Sequence, residues 1–342
     1  MAYTTIDKPT DYFNTKLYTG NASTNNITGV GFQPDWVWIK NRSNTSSHNT
    51  FDAVRGGGKG LFTNATDAEE TVANRLSAFN ADGFTINGDT SNQTNSSGNN
   101  FVSWNWLGAN GTASNSNGSI TSTVSANTTA GFSIVSYSGA SSGGSVGHGL
   151  GVKPDIVLIK CRSATANWLF TTDIIDGSKD YLFLNQTNAK GDLTTALPTS
   201  SVFTVSGDDD QGENGKTYIA YCFNSVKGYS KFGSYTGNGN ADGTFVYTGF
   251  KPAWFMQKRT DVANGWHIFD TKRDTFNSCE RYMTANATSS EPSGTDYVDI
   301  LSNGFKIRRN GNDINASGGT YIYMAFAENP FVTSTGIPTT AR

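Results

Sequence analysis

Three stretches of this chain carry the same motifs in the same order, which restricts it to a fold built from several copies of one unit. Tyr18-Thr19-Gly20-Asn21, Tyr137-Ser138-Gly139 and Tyr235-Thr236-Gly237-Asn238 open the stretches. Gly31-Phe32-Gln33-Pro34, Gly151-Val152-Lys153-Pro154 and Gly249-Phe250-Lys251-Pro252 come next. Each proline leads into an apolar run that reaches Lys40, Lys160 or Lys258. Each stretch then passes Phe84-Thr85-Ile86, Phe203-Thr204-Val205 or Phe305-Lys306-Ile307, and closes near Trp106, Phe223 or Phe326.

Within a repeat the pattern is β. Side chains alternate along a strand, so Trp36, Trp38 and Lys40 share one face while Val37 and Ile39 share the other. Both faces are apolar, so the strand should be covered on both sides. In the closing strands Val102, Trp104 and Trp106 share a face, as do Ile219, Tyr221 and Phe223, then Ile322, Met324 and Phe326. That face is expected to line the inside of each unit. Residues 50–55 and 60–63 read as further strands, and Gly56 to Gly60 as a hairpin turn. Thr66-Asp67-Ala68-Glu69 resembles a capping box ahead of a short helix over 71–76.

The expected fold is all-β: three tandem β-sandwiches of jelly-roll or lectin-like kind, with strand order left open. The repeats span 1–107, 131–224 and 225–327. The polar stretch 108–130 reads as a flexible low-complexity linker. The joint at 224–233 contains Val226, Tyr229 and Phe232 and should dock repeats two and three. Residues 328–342 read as a C-terminal arm.

Charged residues make up 15 % of the chain, against roughly 25 % in typical soluble proteins, and the net charge is −3. Without a basic stripe the electrostatic basis for nucleic-acid binding is missing. No apolar run reaches the length of a membrane-spanning helix, and residues 1–11 carry no signal-peptide pattern. Cys161, Cys222 and Cys279 read as free thiols, with a Cys161–Cys222 bridge as the minority alternative.

Candidate chemistry is sparse. His48 with Asp52, and His267 with Asp270, invite an acid/base reading, but on a strand His48 and Asp52 share a face whereas His267 and Asp270 point to opposite faces. Asp52, Asp173 and Asp270 are expected to anchor turns or pair with lysines. Asp208, Asp209, Asp210 and Glu213 form the densest acidic run and could offer oxygen ligands to calcium, against a solvated loop as the simpler reading. Most tryptophans read as core, whereas Trp168 and Trp266 sit in loop-like surroundings and are the candidate ligand contacts. No P-loop, GxSxG, HExxH or paired-cysteine motif occurs, so no catalytic residues, enzyme activity or cofactor are expected.

The phrases running from Gly29 to Arg42 (GVGFQPDWVWIKNR), Asp52-Ala53-Val54-Arg55-Gly56, Lys231 to Gly239 (KFGSYTGNG) and Tyr321 to Phe331 (YIYMAFAENPF) resemble a group of tailed-bacteriophage proteins. These are common in phages of marine bacteria and cyanobacteria. The resemblance spans almost the whole chain. It implies a virion structural protein, a tail or head fibre that attaches to the host surface. Capsid decoration and a polysaccharide-binding lectin or depolymerase are the alternatives. Expected partners are other virion proteins, copies of the same chain (a homotrimer by analogy with fibres) and a host surface glycan. Location in the virion, after synthesis in the bacterial cytoplasm, follows from the same likeness.

Overall fold

A computed structural model describes residues 3–294 and 297–340. All the regular structure described is β apart from one short 3-10 turn at Pro9–Asp11. No described helix is long and apolar enough to cross a membrane. Each repeat pairs a large antiparallel sheet with a small one of two or three strands.

The large sheets share one strand order. In repeat one the opening strand Phe13–Thr19 pairs with the closing strand Asn100–Trp106, which pairs with the proline-led strand Trp36–Asn41; Asn49–Asp52 follows. Repeat two places Phe132–Ser138, Thr217–Phe223, Ile156–Cys161 and Trp168–Thr172 in the same sequence. Repeat three repeats it with Ser230–Thr236, Thr320–Pro330, Phe250–Arg259 and Trp266–Asp270.

The opening motif has a common physical basis. Tyr18, Tyr137 and Tyr235 stack on Phe101, Tyr218 and Tyr321, with ring centroids 5.1, 5.3 and 4.8 Å apart. Their hydroxyls donate to the carbonyls of Thr94, Gln211 and Ile314. The glycine two residues on lies against the same loop. A Cβ at Gly20, Gly139 or Gly237 would stand 2.2, 2.1 or 2.2 Å from a backbone oxygen, so no other residue fits there.

Each large sheet buries both faces, as the doubly apolar strands require. One face packs on the small sheet: Val37 and Ile39 meet Phe84 and Ile86, Val157 and Ile159 meet Phe203 and Val205, and Phe255 meets Phe305. The tryptophan-rich face of each repeat does not line its own sandwich, contrary to expectation. It joins the matching faces of the other two in one shared core. Trp36 stacks on Tyr221 at 4.4 Å, Phe13 on Phe326 at 5.1 Å, and Phe170 lies 5.0 Å from Trp266. These three ring pairs join repeats one and two, one and three, and two and three. The repeats therefore close around a common centre.

Several expectations need correction. The stretch 108–130 is not a free linker. Ala113–Asn115 and Ser122–Asn127 extend the second large sheet, with Val124 opposite Val135. Buried Ile120, Val124 and Ala130 give it an apolar side, and it covers a sheet edge that would otherwise offer unpaired backbone groups. The helix over 71–76 does not form. Glu70–Thr71 pairs with Lys59–Phe62 instead, because Glu69 is drawn to repeat two. Tyr229 and Phe232 are buried in the shared core, not only at one joint. The last strand runs through Pro330, and the chain beyond it folds back, Ser334 donating its N–H to Asp7 at 2.6 Å. Asn49–Asp52 and Lys59–Phe62 do form the expected hairpin around the glycine cluster. All three cysteines are buried and none is in a disulfide, so the Cys161–Cys222 bridge does not form.

Candidate functional site

Trp168 and Trp266 open strands and are buried, 0 % and 1 % exposed, so neither can meet a ligand from solution. Small polar neighbours made them look loop-like, but an adjoining repeat covers them. Trp168 Nε1 donates to the Phe62 carbonyl of repeat one at 2.7 Å, and Trp266 Nε1 to the Phe183 carbonyl of repeat two at 2.9 Å. In register with them stands His48, whose ring is directed at the Thr284 backbone of repeat three, its Nε2 lacking a well-formed hydrogen bond.

The repeated lysines follow the same cycle. Lys160 Nζ donates to Thr66 O at 2.8 Å, Lys258 Nζ to Thr187 O at 2.9 Å and Lys40 Nζ to Thr288 O at 3.3 Å. The backbone N–H groups of Ala166, Asn264 and Ser46 reach the same three carbonyls. Burial lowers the pKa of Lys40 and Lys258 to about 7 and that of Lys160 to about 8. Each lysine thus fastens its repeat to the preceding one, with repeat one closing onto repeat three.

Charged groups reinforce two of the three seams. Arg162 meets Glu69 at 2.9 Å, and Arg42 meets Glu291 at 2.7 Å. Burial opposes ionisation of Glu69, yet Arg162 and Arg55 hold its carboxyl below the ordinary range. Tyr221 donates its hydroxyl to Asp52 at 2.7 Å, and Trp104 Nε1 donates to Asp270 at 3.0 Å, both across seams. Asp52 and Asp270 also bind Arg55 and Arg273 and accept turn N–H groups, as anchors of turns should. Asp173 is not their register equivalent, a place held by Thr172; it pairs with Lys153.

At the seam between repeats two and three, backbone pairing matches Lys190 with Thr260, where the other seams pair glutamate with arginine. Lys190 Nζ turns to Asp176, Asp180 and Asp192 at 2.7, 2.6 and 2.9 Å. Those carboxylate oxygens lie within 4.8 Å of one another, and the ammonium occupies the place a cation would take.

The other sequence candidates disperse. Asp208 caps its own turn through Ser206 and Gln211, Asp210 accepts the Asn167 N–H, and Glu213 pairs with Lys216. Asp208, Asp209, Asp210 and Glu213 therefore do not converge on one ion. His48 accepts from Trp38 Nε1 at 3.0 Å inside the shared core, whereas His267 lies in the third sandwich beside Gln257. Burial holds both imidazoles below their ordinary pKa, His267 at about 4. They share no register position and no partner set.

One surface concavity was not legible in the sequence. It is a groove of about 580 Å³ between the N-terminal segment and repeat three. Thr4 Oγ1 donates to the Lys227 carbonyl at 2.9 Å and so seats Tyr3 on the wall. Tyr3 donates its hydroxyl to Gly249 O at 2.7 Å. Opposite it stands Tyr247, 48 % exposed. Lys227 Nζ lies 4.6 Å from the Tyr3 ring centre, and Lys231 Nζ lies 5.3 Å from that of Tyr247. The parts lie about 240 residues apart, and no repeat motif includes Tyr3 or Lys227.

Residues 8–330 match the model of a family described as a domain of unknown function, DUF7483, and the chain belongs to that family. Comparison with curated proteins and with solved structures found no match.

Proposed function

We propose that this protein is a non-enzymatic structural component of a bacteriophage particle, exposed on its surface as a tail or head fibre element that contacts the host. One observation carries the proposal. The repeated side chains capable of chemistry are turned inward and bonded to the adjoining repeat. A chain that uses its lysines, tryptophans and buried carboxylates to close a ring of sandwiches is suited to holding a fixed shape and presenting loops. The likeness to tailed-phage proteins supplies the setting.

The ring favours a compact head or tip over a rod, because the repeats pack around a centre and not end to end. The same pseudo-threefold outline also suits a threefold position on a capsid, which supports the decoration reading. Assembly with other virion proteins, and into trimers of chains, belongs to the proposal. Quantitative mass spectrometry of purified particles, with gold-labelled antibody imaging, tests it. A few copies at the tail or on head fibres support the fibre role. Many copies on the capsid favour decoration, and absence from purified particles defeats the proposal.

A further inference from the structure

We infer that the groove between Tyr3 and Tyr247 is a binding site for an acidic saccharide, a chain of sugar rings bearing carboxylates. This deepens the host-contact reading and depends on it only for the source of the glycan. Three observations carry it.

The groove has the size of a ligand site, about 580 Å³ against roughly 300–1,000 Å³ for typical small-molecule pockets. Its walls present two tyrosine rings whose hydroxyls are 3.3 Å apart. Aromatic faces of this kind, apolar in the middle and polar at the tip, suit the C–H faces of a pyranose.

The charge is uncompensated. The lysine ion pairs among the described residues involve Lys8, Lys153, Lys190, Lys216, Lys251 and Lys306. Lys227 and Lys231 have no such carboxylate. The nearby Asp155 is held by the Ser225 N–H and hydroxyl at 2.8 and 2.7 Å. Two cations on a chain of net charge −3, both leaning on aromatic rings, form a local site for an anion. Lysine offers a compact point charge, and no arginine fork lines the groove. That suits single carboxylates spaced along a sugar chain better than bidentate phosphate recognition.

The site is also built once. Lys231 stands in register with Asn14 and Ser133 of the other repeats, and Tyr247 with Thr28 and Gly147. The symmetry that serves the scaffold is broken here.

The test uses the full chain and three defined probes, the trisaccharides of galacturonate, guluronate and mannuronate, with neutral galactotriose as control. Binding is read by calorimetry and by saturation-transfer NMR. At least one uronate trisaccharide should bind at least tenfold more tightly than galactotriose and weaken with added salt. Lys227→Ala and Tyr247→Ala should each weaken it about tenfold with thermal unfolding unchanged, both side chains being exposed. Failure of all three uronates to bind, equal binding of the neutral sugar, or unchanged binding in both variants would overturn the assignment. Each of these results leaves the virion proposal standing, since that is decided by the composition of the particles.

Discussion

Replacing Lys258 by methionine should flatten the rise of stability with pH. Lys258 Nζ is buried at the seam between repeats two and three, where it donates to Thr187 O at 2.9 Å and Asn264 O at 2.5 Å. Burial lowers its pKa from an ordinary 10.5 to about 7. Between those values the unfolded chain holds a proton that the folded chain has released. Stability therefore increases with pH through this window and levels off below it. Taken alone, Lys258 should add about 2 kcal/mol between pH 7 and pH 9. Lys40, at about 7, and Lys160, at about 8, titrate in the same sense, so the three together give on the order of 6 kcal/mol. The window ends near pH 9, because burial pushes the Cys222 thiol up to about 12 and its titration has the opposite sign. Lys258→Met also leaves Asn264 O without its donor, while Thr187 O keeps the Asn264 N–H; the loss is about 1–3 kcal/mol, so the level falls as well as the slope. Urea unfolding at pH 7, 8 and 9 separates the two effects. The wild-type midpoint should climb with pH, and the variant should climb less, by about 2 kcal/mol. A variant with the wild-type slope, or a wild-type protein with no gain over this range, would refute the reasoning.

Trp168→Phe removes the bond to Phe62 O across a seam and should lower stability by about 2–4 kcal/mol, seen as a lower melting temperature, while uronate binding at the distant groove stays unchanged. Tyr221→Phe takes one donor from the buried Asp52 carboxylate; a loss of about 1.5–3 kcal/mol in urea unfolding is expected, and a neutral result would argue against the inter-repeat bond. In acid, His267 stays neutral in the folded chain down to about pH 4 while the unfolded chain protonates near 6.5. Stability should thus fall as pH drops through 6.5, by about 1.4 kcal/mol per pH unit for this residue, and His267→Gln should remove that share of the slope. Gly139→Ala would put a Cβ 2.1 Å from Glu213 O; a melting temperature equal to wild type would contradict the packing of the opening motif. None of the three buried thiols should react with an aromatic disulfide reagent until the protein is unfolded.

Much of the scaffold was legible in the amino-acid sequence because strands have a strict period of two. Alternation showed that Trp36 and Trp38 share a face and that both faces of that strand are apolar. Repetition showed three copies, each opened by Tyr-x-Gly, although the backbone contact that bars a side chain at that glycine emerged only in the structure. What alternation cannot state is what covers a face. Trp104 and Trp106 could equally have pointed into their own sandwich, and only the packing of three sheets turned them to a common centre. Nor can local sequence show that a lysine is buried. Lys160 looks like any strand-end lysine until Thr66, from another repeat, supplies the carbonyl that receives it. The helix signal at 66–69 lost to a seam in which Arg162 holds Glu69, and the polar 108–130 stretch gained strands because a sheet edge was there to be covered. The sequence by itself determined the unit, its strands and the sharing of their faces, all of which depend on neighbours along the chain. Tertiary structure alone decided the ring, the seam lysines and the groove, since each depends on groups 71 or more residues apart that no local period connects.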